Sequence, residues 1–238
     1  MVSVDTVYQR VLALANKEQR GYITPQEFNL LANQAQMVLF DQYFYDKKQA
    51  LETPGNESEY SDIIKTLNEK ISIFKTDISL TAAVGDYFSY PGDMYKLGTV
   101  IIGTSSSTAP ILNGVEAQEI NYDELLDYIN SPLTKPTIKN PIYLRRQDGL
   151  QLIPETITTC RVTYVRYPKK VNWGYVITLG EAMYNPSAPD AQNFELHNSE
   201  ESVLVYKILE LAGVTLNKPA LAQTASNEEI EIKTNQKI

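Results

Sequence analysis

The chain has 238 residues, enough for one large domain or two modest ones and for burying roughly 70–75% of its unfolded surface. A hydrophobic fraction of 43% against 21% charged residues excludes wholesale disorder. With 21 basic and 29 acidic residues the net charge is −8, the wrong sign for tight binding to nucleic acid or an anionic membrane, and the single cysteine, Cys160, excludes an intrachain disulfide and a C-x-x-C site.

The opening residues, Met1-Val2-Ser3-Val4-Asp5, lack the basic start and apolar run of a signal peptide. No stretch approaches the roughly 18 apolar residues of a membrane span. Val4, Val7, Tyr8, Val11, Leu12 and Ala15 recur at helical spacing behind Ser3, a cap, and predict a first helix to about Asn16. A turn at Arg20-Gly21 leads into the strongest local signal in the chain. Thr24 can cap a helix, Pro25 stands where its missing N–H costs nothing, Glu27 can reach back to the Thr24 amide, and Ile23 and Phe28 are spaced as a hydrophobic staple. Phe28, Leu31, Ala35, Val38 or Leu39, and Tyr43 continue that helix to about Tyr43, predicting a helical hairpin with the first. Residues 47–58 read as a loop, and Ile63, Ile64, Leu67 and Ile71 as the apolar side of a third helix from about Tyr60.

From residue 74 the period becomes two. Ile78 and Leu80 alternate with polar neighbours, Leu97 to Ile102 reads as a buried strand, and Gly103 to Thr108 as a polar turn or flexible loop. Ile120, Leu125, Leu126 and Ile129 predict a short helix ending near Asn130. Ile142-Tyr143-Leu144 and Leu150-Gln151-Leu152 flank Gln147-Asp148-Gly149, a hairpin turn of the twisted two-residue type, and Thr158 to Tyr167 supplies a further strand with Cys160, Val162 and Tyr164 on one face. Residues 169–196, with Trp173, Pro186 and Pro189, read as irregular. Asn198 and Glu201 form a second capping-box pattern before a helix that stops at Gly213, and residues 218–238 read as an extended arm or tail.

The expected fold is therefore α+β: an N-terminal helical hairpin plus a third helix over 1–73, and a central antiparallel β-rich part with a short inserted helix over 74–170. An extended connection over 171–197, a C-terminal helix over 198–217 and an extended arm over 218–238 complete it. Sixteen tyrosines against six phenylalanines suit either surfaces buried on assembly or strands.

Chemistry-bearing motifs are sparse. His197 is the only histidine, beside a helix start, and no phosphate loop, dinucleotide fingerprint or nucleophile elbow occurs. No catalytic residue, cofactor or metal is assigned. Asp123, Glu124 and Asp127 cluster on the short helix, where a carboxylate-based hydrolase would need a facing pair and a solvated helix face would not. Arg145-Arg146 and Lys169-Lys170 read as exposed pairs, open to an acidic neighbouring subunit.

Four segments carry a resemblance: Asn16 to Asn29, Tyr90-Pro91-Gly92-Asp93-Met94-Tyr95-Lys96-Leu97, the strand ending Tyr164-Val165-Arg166-Tyr167-Pro168-Lys169-Lys170, and Phe194 to Glu201. In these the chain resembles the neck proteins of tailed bacteriophages, most closely the ring proteins beneath the portal in crAss-like phages. Gly92 and Met94 depart from the commoner Ser and Asp-Tyr usage there. The resemblance implies a non-enzymatic head-to-tail adaptor in the virion, a ring of twelve copies matching the portal. It would contact the portal and the next neck or tail ring protein, with genomic DNA as transiting cargo. Arg20, Gly21, Thr24, Pro25, Glu27, Phe28, Asp148, Gly149, Asn198 and Glu201 are the expected structural and assembly residues. A tail-associated host-attachment or glycan-binding module is the alternative, suggested by tyrosine content and Trp173.

Overall fold

The computed structural model of the protein describes residues 1–17, 23–52, 57–82, 87–103, 114–215 and 219–236. Arg20, Gly21 and residues 104–108 of the predicted polar turn or loop lie outside them. In chain order the elements are α1 (Val4–Lys17), α2 (Pro25–Glu52), α3 (Glu57–Ser72), β1 (Lys75–Thr81), β2 (Tyr87–Ser89), β3 (Met94–Ile102), β4 (Val115–Glu116) and β5 (Gln118–Ile120). There follow α4 (Leu125–Asn130), β6 (Ile142–Arg145), β7 (Gly149–Ile153), β8 (Thr159–Arg166), β9 (Tyr175–Thr178), β10 (Glu181–Tyr184), α5 (Glu201–Thr215) and α6 (Pro219–Gln236). The α+β class expected from the sequence, with N-terminal helices and a β-rich middle, is the class observed. The elements form two compact units, Met1–Ile73 with Pro168–Ile238, and Phe74–Tyr167.

The first unit is built around α5. Val203, Leu204, Val205, Ile208, Leu209 and Ala212 are buried on several of its faces, as a helix enclosed by others requires. α1, α2 and α6 all pack on it. Ion pairs add to this: Arg10 of α1 meets Glu201 of α5 at 2.8 Å, Lys207 of α5 lies 3.4 Å from Glu229 of α6, and Lys70 of α3 meets the buried Glu200, in the turn just before α5, at 2.5 Å. α1 and α2 touch through Tyr8 and Phe28 of their predicted apolar stripes, ring centroids 4.6 Å apart, and each also packs on α5.

Four expectations are corrected here. α2 runs to Glu52, because Lys47-Lys48-Gln49-Ala50-Leu51-Glu52 are good helix formers, and α3 begins at Glu57, so both ends of the predicted 47–58 loop are helical and its residues 53–56 lie outside the described residues. α5 continues past Gly213 to Thr215. The connection over 171–197 contains the β9–β10 hairpin. The predicted arm is α6, a helix opened by Pro219 and set against α5. α6 buries the small Ala225 and the lysine-paired Glu229, a contact with no apolar stripe to announce it.

The second unit holds two four-stranded sheets, ordered β1-β8-β3-β4 and β2-β7-β6-β5, antiparallel except for the β5–β6 pair. Alternation on β8 buries Cys160, Val162 and Tyr164 together, as the sequence predicts. Phe88, Val100, Leu150, Leu152 and Val162 belong to one core drawn from both sheets. β6 is buried on both faces, because Ile142 and Leu144 pack with Ile120 and, from α4, Leu125 and Tyr128. Ile120 lies on β5, outside the short helix predicted to include it.

Candidate functional site

The Thr24 motif forms as read. The Thr24 N–H donates to Glu27 Oε2 at 3.0 Å, its hydroxyl donates to the same oxygen at 2.9 Å, and the Glu27 N–H donates to Thr24 Oγ1 at 3.3 Å. The backbone and then the side-chain bond from Thr24 hold the Glu27 carboxyl below its usual range. Pro25, Ile23 and Phe28 are buried. The Tyr8 hydroxyl donates to Ile23 O at 3.2 Å, and its ring lies 4.6 Å from Phe28 and 4.4 Å from Trp173. The motif therefore fixes an aromatic platform.

The other two motifs form differently. His197 caps the turn before α5, its Nδ1 accepting the Ser199 N–H at 3.3 Å, and Asn198–Glu200 is a 3₁₀ turn. Asn198 is thus one residue inside the cap, its Oδ1 accepting from the Met1 ammonium at 2.9 Å, and Glu201 pairs with Arg10 and makes no capping box. In the β6–β7 hairpin the turn residues are Gln147 and Asp148, closed by the Arg146 N–H donating to Gly149 O at 2.8 Å. Gly149 belongs to β7 opposite Ser89, where a Cβ would stand 2.1 Å from Phe88 O, so close approach of β2 demands glycine there. Asp148 O accepts the Tyr90 N–H at 3.1 Å. Thr24 to Phe28, Asn198 and Glu201 lie in the first unit, Asp148 and Gly149 in the second.

Asp123, Glu124 and Asp127 are exposed, and α4 buries none of its residues. They do not line the open depression of about 440 Å³ beside Thr99, Glu116, Glu119 and Tyr143. There Glu119 is held by Arg145 at 2.7 Å and by the Tyr143 hydroxyl at 2.9 Å, and burial, then that bond, push the Tyr143 phenol up to about 12. Arg146 donates to Gln151 Oε1 at 2.7 Å and stacks over Tyr122 at 5.0 Å, so both arginines of the pair have partners within the unit. Among the described residues no group of three His, Cys, Asp or Glu side chains could hold a metal ion. No described helix is long and apolar enough to cross a membrane.

A polar ladder on α2 holds the segment before β9. Asn29 Oδ1 accepts the Trp173 N–H, Asn33 exchanges two bonds of 2.8 Å with the Val171 N–H and C=O, and the Gln36 amide donates to Lys169 O at 2.8 Å. Gln36 also accepts the Glu195 N–H, and Glu195 accepts the Lys169 N–H at 2.9 Å. Three side-chain amides thus serve as a strand would.

The ladder ends at Trp173, 2% exposed, whose Nε1–H donates to Asp5 Oδ1 at 3.0 Å. Its ring stacks on Tyr175 at 5.8 Å and Tyr184 at 5.7 Å, the first and last residues of the β9–β10 hairpin. Beyond this footing the hairpin is bare. Val176, Ile177 and Met183 are exposed on its two faces, Ile177 at 72%. At the tip Leu179 (φ 54°) and Gly180 (φ 87°) both have left-handed backbones, the two-residue turn that suits a twisted hairpin. Asn or Gly takes that conformation readily, whereas a leucine incurs about 1–2 kcal/mol. Leu179 is fully exposed, so no packing against the described residues offsets that cost.

No protein-family model matches the chain, and no curated protein matches it.

The hairpin is the feature that sequence reading missed. Its signal was Tyr175-Val176-Ile177-Thr178, aromatic and β-branched, followed by a glycine two residues on. Leu-Gly is not a turn pair that strand rules look for, and the nearby prolines argued for irregular chain.

Proposed function

We propose that the chain is a non-enzymatic virion protein, a head-to-tail adaptor that assembles into a ring in the neck of a tailed bacteriophage. The observation that carries this reading is the β9–β10 hairpin, an apolar ribbon that pairs with no other described strand and has a left-handed, fully exposed leucine at its tip, raised on an aromatic footing. Such a ribbon is marginal in isolation and a hazard when left uncovered. Its cost is offset once another surface covers it, which makes assembly its natural use.

The neck assignment draws on the likeness of the four segments, and the net charge of −8 supports it physically: a channel wall that bound phosphates would hold the genome back. On this reading the ring has twelve copies, contacts the portal on one side and the next neck or tail ring protein on the other, and lets DNA pass as cargo. It resides in the virion after assembly in the host cytoplasm.

Electron microscopy of the purified chain, alone and mixed with its portal protein, tests the proposal. Rings, and complexes with the portal, are expected. Monodisperse monomers that ignore the portal at high micromolar concentration would falsify it, and binding to glycans or host cells instead would favour an attachment module.

A further inference from the structure

We propose that the β9–β10 hairpin of one copy seats on the stretch from Leu126 to Lys139 of a second copy. The inference rests on the ring reading above and names the surfaces that close the ring. A ring needs a heterologous contact, in which two different patches of the same chain meet. The chain displays two such patches with opposite charge.

The donor patch is the tip of the hairpin and one of its faces, with Leu179, Val176 and Met183 bare and Glu181, two residues beyond the tip leucine, on the same face as Met183. The receiving stretch exposes Leu126, Ile129, Leu133 at 94% and Ile138. It is stiff. Pro132, Pro136 and Pro141 restrict its backbone, the Thr134 N–H donates to Ser131 Oγ at 3.3 Å, and Thr137 and Asn140 exchange two backbone bonds of 3.2 and 3.1 Å. A backbone already held in one conformation loses little entropy on docking.

Charge selects the orientation. Lys135 lies two residues after Leu133 and Lys139 next to Ile138, repeating in opposite sign the spacing of Leu179 and Glu181. Lys135, Lys139 and Glu181 make no ion pair with described residues, whereas Arg10, Lys70, Arg145, Arg161 and Lys207 all do. Asp123, Glu124 and Asp127 at the other end of the stretch repel Glu181 and direct it to the lysine end. The apolar contacts supply affinity, and the rim charges supply register.

Disulfide trapping in the full chain tests this, because buried Cys160 is a silent background. On oxidation the double variant Leu179→Cys/Leu133→Cys is expected to give a ladder of dimers, trimers and higher species, while each single variant stays largely monomeric. Efficient dimers from Leu179→Cys alone would mean hairpin-on-hairpin pairing and overturn the proposal, as would trapping onto the portal only. In a second arm, Glu181→Lys and the pair Lys135→Glu/Lys139→Glu should each weaken assembly about tenfold, and their combination should restore it. Rings without a ladder and without charge rescue would overturn this contact while leaving the ring reading intact. Absence of rings from the unmodified chain as well would overturn both.

Discussion

On its α2 side Val171 bonds to the Asn33 side chain, which stands in for a strand. Asn33→Ala would strip partners from a backbone N–H and C=O at once, and should cost about 2–4 kcal/mol in a urea titration followed by far-UV circular dichroism. Gln34→Ala, one residue on and exposed, should change stability by no more than about 0.5 kcal/mol. A second residue-scale expectation concerns Cys160. Burial pushes its thiol from 9.0 up to about 12, and Tyr143 rises to a similar value. Folding holds both groups neutral, so between these values the unfolded chain binds fewer protons than the folded one. Their stabilisation is full below pH 9 and is lost as the pH rises towards 12. The melting temperature should therefore fall progressively above pH 9, and a thiol reagent at pH 8 should label Cys160 only after denaturation.

Among the elements, the β9–β10 hairpin sets local stability against assembly. Leu179→Asn places a residue suited to left-handed backbone at the tip and should stabilise the turn by about 1 kcal/mol, while ring formation measured by sedimentation falls. A turn serving only the fold would show the gain without the loss. The same hairpin marks where sequence reading stopped. Elements with strong local signals were legible: the Thr24 capping box, the alternation of Cys160, Val162 and Tyr164, and the α1 stripe through Val4, Val7, Tyr8 and Val11 are all as the residue pattern predicts. Elements whose stability comes from a neighbour were not. α6 has no apolar stripe and is held by α5, Asn29, Asn33 and Gln36 look like ordinary polar helix positions, and His197 took the cap that Asn198 was expected to supply.

For the whole molecule, α5 decides which segments are dispensable. A peripheral tail at residues 219–238 could be removed without effect on stability. A helix lying along α5 cannot, because its loss bares apolar surface and leaves Lys207 without its Glu229 partner. A chain ending at residue 218 should accordingly melt several degrees lower and aggregate on heating, as calorimetry and light scattering would show. If it melts like the full chain, α6 contributes nothing to the fold. The Phe74–Tyr167 unit has its own two-sheet core, so its cysteine should stay protected in the truncated chain.

The amide ladder also works as a vernier between two lattices of different spacing. Four residues of helix advance roughly 6 Å and two residues of strand roughly 6.6 Å, so Asn29 and Asn33 meet Trp173 and Val171 nearly in step. From Asn33 to Gln36 the helix advances only about 4.5 Å, leaving a shortfall of about 2 Å against the next strand repeat. The third amide reaches Lys169 because it is glutamine, with one methylene more. Gln36→Asn, the mildest of substitutions by chemistry, should therefore be too short, and should destabilise the protein nearly as much as Gln36→Ala.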